Sequence, residues 1–429
     1  MPSSRPVLTQ VEARRTISAR GFDQPLGGSS ATDAHATGRL VGIELEWLVV
    51  DADDPSRPVP LDQVEDSARA AGPLPGGSVL TFEPGGQVEL SSPPLPLPLA
   101  CDATADDACR LGDALAEAGI ALVGLGLEPG PRRNRAVQSA RYDAMEEFFD
   151  SIGPAGRTMM RSTAALQVNL DLGRGADLER RWRAAHDVGP VLAAAFANSP
   201  IGDDGPTGHR STRLAVWAAI DGCRTRPPDL TGDCRDAWAD YALEANVMLV
   251  RASDECHVPQ LAPLSFEEWI DNGHELGWPT LDDLDYHLTT LFPPVRPRGW
   301  LELRMIDSVP SPWWRVAVAV TAVLVQDPRL LAEVAPALEP TLGRWEVAAR
   351  DALTDPAFAV AARACFEAAA AALPRAGADD ATIAATDAFL DTYVARGRCP
   401  ADDRLDAWHA GGSPLPEPDN GHDLERART

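Results

Sequence analysis

The sequence predicts an α+β fold that combines an antiparallel sheet with many helices. Four segments alternate polar and apolar residues with the period of two that is typical of strands. These segments are 41–50, 79–92, 163–172 and 300–306. Stretches with helical periodicity lie between them, and no linker or internal repeat divides residues 38–410. We therefore expect this range to form a single domain.

The elements can be justified in chain order. Residues 1–37 begin with a polar stretch that can form a helix, and they continue into a Gly/Ser/Thr-rich segment. We therefore expect a partly mobile leader. Between the second and third strand segments, residues 101–119 have helical periodicity that ends at a glycine, which predicts a helix. Residues 121–129 predict a short buried strand. Residues 176–197 and 235–250 predict two further helices.

The C-terminal region, residues 313–410, is rich in Ala and Leu. It is interrupted at Asp327-Pro328, Pro340 and Asp355-Pro356, which predicts several packed helices rather than one long helix. Residues 411–429 are rich in Gly, Pro and charged side chains, and their composition predicts a disordered tail.

The composition excludes several classes of function. A formal charge of -26 argues against nucleic-acid and anionic-membrane partners, which require a clustered basic surface. The chain contains no lysine, so all 38 basic residues are arginines. This excludes a Walker A loop, a protein kinase and a pyridoxal phosphate enzyme, since each of them depends on a lysine.

The remaining bulk features predict a soluble cytoplasmic protein. The N-terminus lacks the apolar stretch of a signal peptide, and the longest aliphatic run, at 316–325, is half the length of a spanning helix. The seven cysteines are widely spaced without a CxxC pair, so we expect reduced thiols and no zinc site.

Each of the four alternating segments has an apolar face and a polar face. The polar faces together carry six carboxylates, three amides and one guanidinium. They comprise Glu44 and Glu46; Glu83, Gln87 and Glu89; Gln167, Asn169 and Asp171; and Glu302 and Arg304. A polar face turned to solvent is the alternative, because antiparallel sheets often have one wet side.

The excess of carboxylates favours a ligand site over a wet surface. Two carboxylates about 5 Å apart repel by about 3 kcal/mol at an effective dielectric constant near 20. Hard divalent cations bind oxygen ligands, and Mg²⁺ typically joins a few carboxylates to nucleotide phosphates. The polar face is therefore predicted to hold Mg²⁺ and the phosphates of a nucleotide.

The motifs on these segments resemble those of a known family. VGIELEW, TFEPGGQVELSSPP, MMRSTAALQVNLDL, FANSP, YHLTTLFPPVR and WLELRMID resemble, in this order, the motifs of plant-type glutamate-cysteine ligases and their bacterial relatives. The resemblance covers residues 41–315. The short chain and the leader favour the bacterial branch that makes γ-glutamylcysteine for ergothioneine biosynthesis over a glutathione-directed enzyme.

The resemblance implies both a fold and a reaction. The family fold is a curved antiparallel sheet of the glutamine synthetase type, whose concave face is the active site and whose outer face carries helices. The reaction joins the γ-carboxylate of L-glutamate to the amine of L-cysteine through γ-glutamyl phosphate, with ATP as co-substrate and Mg²⁺ as cofactor.

The resemblance also assigns roles to residues. The metal ligands would be Glu44, Glu46, Glu83, Glu89 and Glu302. Arg304 would contact the transferred phosphoryl group beside Glu302, and Gln167 and Asn169 would contact substrate. Because lysine is absent, an arginine must bind the α-carboxylate of glutamate. The candidates are Arg161, Arg213 with Trp217, and Arg251.

Two departures from the family pattern leave alternatives open. Plant-type members often carry a lysine shortly after the first glutamate pair, where this chain has Trp47. Residues 200–260, which are expected to shape the cysteine pocket, match the family only loosely. A carboxylate-amine ligase with another amine acceptor, and a non-catalytic relative that binds nucleotide or metal, are therefore the alternatives.

Overall fold

A computed structural model describes residues 7–23, 39–130, 134–253 and 256–419. The strands are β1 Leu40–Asp51, β2 Val79–Phe82, β3 Val88–Ser91, β4 Leu95–Pro96, β5 Ile120–Val123, β6 Ala165–Leu170, β7 Ile201–Gly202, β8 Gly205–Pro206, β9 Leu249–Ser253, β10 Cys256–Pro259, β11 Val295–Pro297 and β12 Leu301–Asp307.

The helices before the C-terminal region are α1 Gln10–Phe22, α2 Leu61–Ala70, α3 Leu97–Glu117, α4 Ala140–Asp150, α5 Ala155–Ser162, α6 Ala176–Ala195, α7 Thr212–Ala218, α8 Gly222–Thr225, α9 Cys234–Glu244, α10 Phe266–Asn272 and α11 Leu281–Leu288. The C-terminal helices are α12 Trp313–Gln326, α13 Pro328–Leu338, α14 Trp345–Asp351, α15 Pro356–Ala376, α16 Asp380–Thr392 and α17 Pro400–His409.

The main sheet is antiparallel, and its strand order is β11-β12-β6-β1-β3-β2. The long strand β1 also pairs with β4 at its start and with β5 at its end. The predicted α+β fold with an antiparallel sheet is thus confirmed. The pairing register places Glu44 opposite Gln167 of β6, and it places Glu46 opposite Glu89 of β3.

The core lies on the opposite face of the sheet. Ile43, Val168 and Leu303 are fully buried there, and helices α6 and α12 pack against β12 and β6. The alternation in the sequence therefore separates an apolar face under helices from a polar face, as antiparallel strands with one covered side require.

Three predicted elements differ from the structure. The strand predicted at 121–129 is β5, which ends at Val123. Residues 79–92 form a hairpin of β2 and β3 instead of one strand, with a turn at EPGG. Phe82 lies opposite Val88, so even-numbered residues stay on one face in both arrangements, and the predicted faces of the side chains are unchanged. The helix predicted at 235–250 ends at Glu244, and β9 begins at Leu249.

The predicted leader contains a packed helix. Helix α1 begins with a capping box in which Thr9 and Glu12 satisfy each other's backbone amides. It buries Ile17 and Phe22 and packs against α9. Residues 7–23 therefore belong to the folded body, whereas residues 1–6 and 24–38 lie outside the described residues.

The predicted tail is also anchored as far as Asp419. This residue is buried, and its carboxylate accepts hydrogen bonds from Trp47 Nε1 at 3.2 Å and from the Ser311 amide at 3.1 Å. Its own amide donates to the Leu122 carbonyl at 2.7 Å. The disorder predicted for 411–429 does not hold for 411–419, and residues 420–429 lie outside the described residues.

The C-terminal region is the predicted assembly of packed helices. By length and composition, α15 is the one helix among the described residues that could cross a membrane. Its Phe358, Phe366 and Leu373 are buried, and the helix packs against α12, α13 and α16. Helix α15 is therefore a core helix of this region.

Candidate active site

A cavity of about 330 Å³ lies on the polar face of the sheet. Its floor is built by β1, β3, β6 and β12, and its roof contains Met145, Met159, Met160, Trp217 and Phe292. We call it the central cavity. Its polar lining residues include Glu44, Glu46, Glu83, Gln87, Glu89, Arg141, Tyr142, Gln167, Thr289, Arg296, Arg298, Glu302 and Arg304. Five of the six carboxylates predicted for the polar face, Glu44, Glu46, Glu83, Glu89 and Glu302, line this cavity. Asp171 does not line it, and its carboxylate accepts a hydrogen bond from the Leu40 amide at 2.8 Å.

Neighbouring polar groups hold three of the floor glutamates in place. Glu44 accepts a hydrogen bond from Asn169 Nδ2 at 2.9 Å. Glu46 accepts from Gln167 Nε2 at 2.9 Å and from the Ala165 amide at 2.7 Å. Glu89 accepts from the Thr81 hydroxyl at 2.8 Å. The amides of β6 thus orient the carboxylates of β1, whereas the sequence predicted that Gln167 and Asn169 contact substrate.

The fourth glutamate, Glu83, is positioned by the EPGG turn. Its backbone amide donates to the Gln87 carbonyl at 2.9 Å, and the Gly86 amide donates back to the Glu83 carbonyl at 2.8 Å. Gly86 has a φ of +86°, which favours glycine. A Cβ on Gly85 would lie 2.0 Å from the Arg161 carbonyl oxygen. Only glycine therefore lets this turn approach α5 so closely.

Burial dominates the electrostatics of the floor. Burial, together with the charges of Glu302 and Glu89, raises the pKa of Glu44 to about 7. Burial, with Glu46 and Glu89 nearby, raises the pKa of Glu83 to about 8. Burial also raises the pKa values of Glu46 and Glu89. The protein itself thus supplies too little positive charge to keep all four carboxylates ionised.

The fifth glutamate, Glu302, has a different environment. Its fully buried carboxylate pairs with Arg296 at 2.5 Å, Arg298 at 3.0 Å and Arg304 at 3.1 Å. Burial alone would raise the pKa of Glu302, but the charges of Arg296 and Arg304 outweigh it and hold this pKa below its usual value. Both carboxylate oxygens accept from guanidinium groups, so Glu302 fits the orientation of these arginines better than the predicted metal binding.

The floor has the right donors for Mg²⁺, which prefers oxygen ligands and commonly uses a few carboxylates. Glu44, Glu46, Glu83 and Glu89 supply them, and their raised pKa values mark the charge that a cation would compensate. Within the described residues, no three acidic, His or Cys side chains already form a metal-binding cluster. The fit therefore rests on donor type and charge rather than on preformed coordination.

The structure places the three arginines proposed for the substrate carboxylate in different surroundings. Arg161 turns away from the central cavity and pairs with Glu146 at 2.6 Å. Arg251 stacks on the Tyr286 ring at 5.3 Å and does not line the cavity. The positions of these two side chains therefore do not support the predicted contact, because a motif fixes where a residue is but not where its guanidinium points.

Arg213 and Trp217 do line a cavity beside the site. This second cavity, which we call the apolar cavity, has a volume of about 360 Å³ and shares Trp217, Phe292 and Arg304 with the central cavity. Arg213 Nη2 donates to the Arg304 carbonyl at 2.9 Å. Among the described residues, buried Arg213 Nη1 has no hydrogen-bond partner, and the Asp307 carboxylate lies 3.7 Å away. The buried Trp217 Nε1 is likewise without an acceptor.

Sequence reasoning missed part of the site. Arg141, Arg296 and Arg298 line the central cavity, but they were not among the candidates. Arg296 and Arg298 are two residues apart just before β12, so the strand periodicity could have indicated them. Arg141 lies on α4, and nothing in the sequence pattern indicates its position.

Trp47 explains one departure from the family pattern. Its side chain is buried on the apolar side of β1 and donates to Asp419, so it does not reach the central cavity. Trp47, at the position of the missing lysine, is therefore a core residue, and it does not replace the lysine in the site.

Comparison with known proteins identifies the class. The glutamate-cysteine ligase family 2 (GCS2) matches residues 40–423, and the chain belongs to this family. A crystal structure of glutamate-cysteine ligase GshA from Francisella tularensis, in complex with AMP, shares the fold with a TM-score of 0.52 at 13% identity, covering 91% of this chain and 87% of that one.

Within the family, the chain is similar to glutamate-cysteine ligases named EgtA. It is 42% identical to EgtA of Mycobacterium tuberculosis, covering 87% of each protein, and 42% identical to EgtA of Mycolicibacterium smegmatis, covering 90% of this chain and 91% of the relative. The chloroplastic glutamate-cysteine ligase of Nicotiana tabacum is 31% identical over 59% of this chain and 50% of its own length. The family prediction is thus confirmed.

Proposed function

We propose that the chain is a glutamate-cysteine ligase that joins the γ-carboxylate of L-glutamate to the amine of L-cysteine, with ATP converted to ADP and phosphate. The EgtA relatives favour a role in ergothioneine biosynthesis. The structural observation that carries the proposal is the meeting of four poorly compensated carboxylates and an arginine cluster in one cavity. A cytoplasmic location stays a prediction.

The carboxylate floor would hold the cation. Glu44, Glu46, Glu83 and Glu89 are the residues we assign to Mg²⁺, which when bound neutralises phosphate charge. Gln167 and Asn169 fix the first two of these carboxylates, so their role is positioning. The floor thereby brings the triphosphate against the sheet.

Arg296, Arg298 and Arg304 surround Glu302, and we call them the arginine wall. This wall would hold the transferred phosphoryl group. Arg304 reaches the central cavity while its Nη1 contacts Glu302 at 3.1 Å and Gln167 Oε1 at 2.5 Å. This fixed orientation suits a group that stabilises charge on phosphoryl oxygens. Glu302 then acts on the reaction by orienting Arg304, Arg296 and Arg298.

The chemistry needs no protein nucleophile. A γ-carboxylate oxygen of glutamate attacks the γ-phosphorus of ATP, and the bond to the bridging β,γ-oxygen breaks, releasing ADP. The cysteine amine then attacks the carbonyl carbon of γ-glutamyl phosphate. The carbon–oxygen bond to phosphate breaks, and the leaving phosphate can accept the amine proton. Positioning and charge stabilisation are the work of the protein.

We assign the amino-acid substrates to the apolar cavity. Arg213 Nη1 forms an ion pair with Asp307 at 3.7 Å but has no hydrogen-bond acceptor among the described residues, and the buried Trp217 Nε1 also has none. A substrate carboxylate would supply an acceptor for both donors. This cavity meets the central cavity at Arg304, so a glutamate held at Arg213 can direct its γ-carboxylate towards the phosphoryl site.

ADP release with Mg-ATP and glutamate, measured with and without cysteine, tests the proposal. We expect cysteine-dependent ADP release with a matching amount of γ-glutamylcysteine by mass spectrometry. Turnover with another amine instead of cysteine would support a different carboxylate-amine ligase. Binding of Mg-ATP without turnover under any amine would support the non-catalytic alternative.

A further inference from the structure

The end of strand β12 carries a buried carboxylate to which the proposed chemistry assigns no role. Asp307 is 1% exposed and lines neither the central cavity nor the apolar cavity. Its Oδ2 accepts hydrogen bonds from the Asn198 amide at 2.8 Å and from the Ser199 hydroxyl at 2.7 Å. Its Oδ1 accepts from the Ser211 hydroxyl at 2.9 Å. Buried donors therefore hold this carboxylate through both of its oxygens.

The two serines connect Asp307 to the first turn of helix α7. Ser211 is the N-cap of α7, and its hydroxyl oxygen accepts from the Leu214 amide at 3.3 Å. The Ser199 hydroxyl oxygen accepts from the Arg213 amide at 3.1 Å. Each hydroxyl thus donates to Asp307 and accepts from α7. Because α7 carries Arg213, Asp307 helps to fix the residue that we assign to the substrate carboxylate.

The charge of Asp307 also acts on the Arg213 guanidinium. Asp307 Oδ1 lies 3.7 Å from Arg213 Nη1, which is too far for a hydrogen bond but close enough for an ion pair. Burial lowers the pKa of Arg213, and the negative charge of Asp307 is the largest effect that opposes it. Burial raises the pKa of Asp307, and the charge of Arg213 is the largest effect that opposes it. Each residue therefore helps to keep the other ionised in a buried place.

Asp307 compensates the charge of Arg213 without accepting a hydrogen bond from it. Arg213 Nη2 donates to the Arg304 carbonyl at 2.9 Å, whereas Nη1 has no hydrogen-bond acceptor among the described residues. Three other donors occupy the oxygens of Asp307, so Nη1 stays available. A substrate carboxylate can then bind Nη1, and no hydrogen bond to Asp307 has to be broken first.

We infer that Asp307 is a positioning residue for the glutamate substrate, and that it acts through Ser199, Ser211 and the orientation of Arg213. The inference rests on the proposed function, in which Arg213 binds the α-carboxylate of glutamate. The alternative is that Asp307 only anchors α7 as part of the fold. A positioning role predicts a selective loss of glutamate affinity, whereas damage to the fold would weaken the binding of every ligand.

Asp307→Asn removes the charge with a small change of shape. The Asn198 amide can only donate, so the carbonyl oxygen of the substituted side chain must stay at the place of Oδ2. Its nitrogen then replaces Oδ1, where the Ser211 hydroxyl can turn and accept. The fold should persist, but an uncharged donor would then lie next to Arg213 Nη1.

Calorimetry of the whole chain with MgADP, and with L-glutamate in the presence of MgADP, tests the inference. Asp307→Asn should weaken glutamate binding about 10-fold or more, because the charge-assisted hydrogen bond from Arg213 is misplaced, and leave MgADP binding within about twofold. In an Arg213→Ala background, Asp307→Asn should cause no further loss of glutamate affinity, because its effect passes through Arg213.

Asp402→Asn is the matched control. Asp402 is a buried carboxylate at the start of α17, and it pairs with Arg210 at 3.1 Å, three residues before Arg213. It holds the same segment of the chain but lines neither the central cavity nor the apolar cavity. Asp402→Asn should therefore keep its glutamate affinity within about twofold of the wild type.

Ser211→Ala tests the same inference if Asp307→Asn does not fold. Removal of the hydroxyl leaves Asp307 Oδ1 without its hydrogen bond, and Arg213 Nη1 is a donor 3.7 Å away that can replace it. Nη1 would then be lost to the substrate. Glutamate binding should again weaken about 10-fold, with MgADP binding within about twofold of the wild type.

Three outcomes would overturn the inference. If Asp307→Asn and Ser211→Ala bind glutamate as well as Asp402→Asn does, or if both ligands are weakened equally, Asp307 is only an anchor of the fold. A further loss of glutamate affinity in the Arg213→Ala background would show that Asp307 does not act through Arg213. Absence of glutamate binding in the wild type would contradict the proposed function itself, and this inference with it.

Discussion

Glu302 and Glu83 are both glutamates of the central cavity, yet their surroundings shift their pKa values in opposite directions. Three guanidinium groups keep Glu302 ionised, whereas burial beside Glu46 and Glu89 raises the pKa of Glu83 to about 8. The protein itself compensates the negative charge of Glu302, whereas a bound cation would stabilise the ionised form of Glu83. We therefore assign Glu302 to the orientation of arginines and Glu83 to metal binding.

Arg304→Ala should reduce kcat by about 1000-fold, because an arginine that contacts a transferred phosphoryl group contributes on this scale. Glu302 would keep its pairs with Arg296 and Arg298, so the fold should persist. Steady-state kinetics and circular dichroism measure the two effects. Arg251→Ala is the control outside the central cavity, and kcat for Arg304→Ala within a few-fold of this control would contradict the assignment.

The metal-free protein should lose stability as the pH rises. Glu44 and Glu83 have pKa values of about 7 and about 8, above the usual 4.5, so the folded state retains protons that the unfolded chain has already lost. Their contribution is complete below about pH 4.5 and declines as the pH passes through about 7 and 8. Urea denaturation in EDTA should therefore give a lower free energy of unfolding at pH 8 than at pH 6.

Glu83→Gln is the matched variant for this pH effect. It should flatten the pH dependence, because the amide resembles the protonated acid, and it should also abolish ligase activity with little loss of fold. A wild-type free energy of unfolding that stays level or increases from pH 6 to pH 8 would show that these carboxylates do not have raised pKa values.

At the scale of elements, the hairpin of β2 and β3 places Glu83 and Glu89 over β1. Its turn is fastened by Gln87, whose Nε2 donates to the Thr163 carbonyl at 2.8 Å and whose Oε1 accepts from the Gly85 amide at 3.0 Å. One amide side chain thereby joins the turn to the start of β6. The hairpin is therefore a positioning device for half of the carboxylate floor.

Gly85→Ala should damage both stability and activity. The added Cβ would meet the Arg161 carbonyl oxygen at 2.0 Å, so the turn must move and carry Glu83 with it. We expect a loss of about 1–3 kcal/mol in the free energy of unfolding and a large fall in kcat. Gly153→Ala is the control, since its Cβ would meet nothing within 4 Å. Equal stability and kcat in the two variants would contradict this role of the turn.

The C-terminal segment is a second element with a structural role. Asp419→Ala should lower the free energy of unfolding by about 1–3 kcal/mol, because the indole of Trp47 and the amide of Ser311 would lose their acceptor in a buried place. Glu417→Ala, at an exposed position two residues earlier, should have little effect. Chemical denaturation compares them, and identical midpoints and slopes would argue against anchoring of this segment.

For the whole molecule, the sheet organises three connected cavities around one arginine wall. Arg304 joins the central cavity to the apolar cavity, and Arg296 and Arg298 join it to a third cavity of about 400 Å³ that Arg20 and Trp300 also line. The places that we propose for the amino acids and for the phosphates are therefore adjacent. Residues distant in sequence line these cavities, including Arg20 and Gly21 of α1.

Much of the carboxylate floor could be predicted from the sequence, because strand periodicity determines the face of a side chain. Glu44, Glu46 and Gln167 follow from this rule alone. The hairpin could not be distinguished from one strand, since its register preserves the same faces. The orientation of Arg161 depends on Glu146 of α4, and the burial of Asp419 depends on Trp47. Such contacts between distant segments leave no periodic signal.

The most direct test of the central claim is a crystal structure of the chain with Mn²⁺ and ADP, in which anomalous scattering locates the metal. We predict manganese in the central cavity, bound by carboxylate oxygens from at least two of Glu44, Glu46, Glu83 and Glu89. Manganese confined to other surfaces, with these carboxylates still bound only to their present partners, would contradict the account.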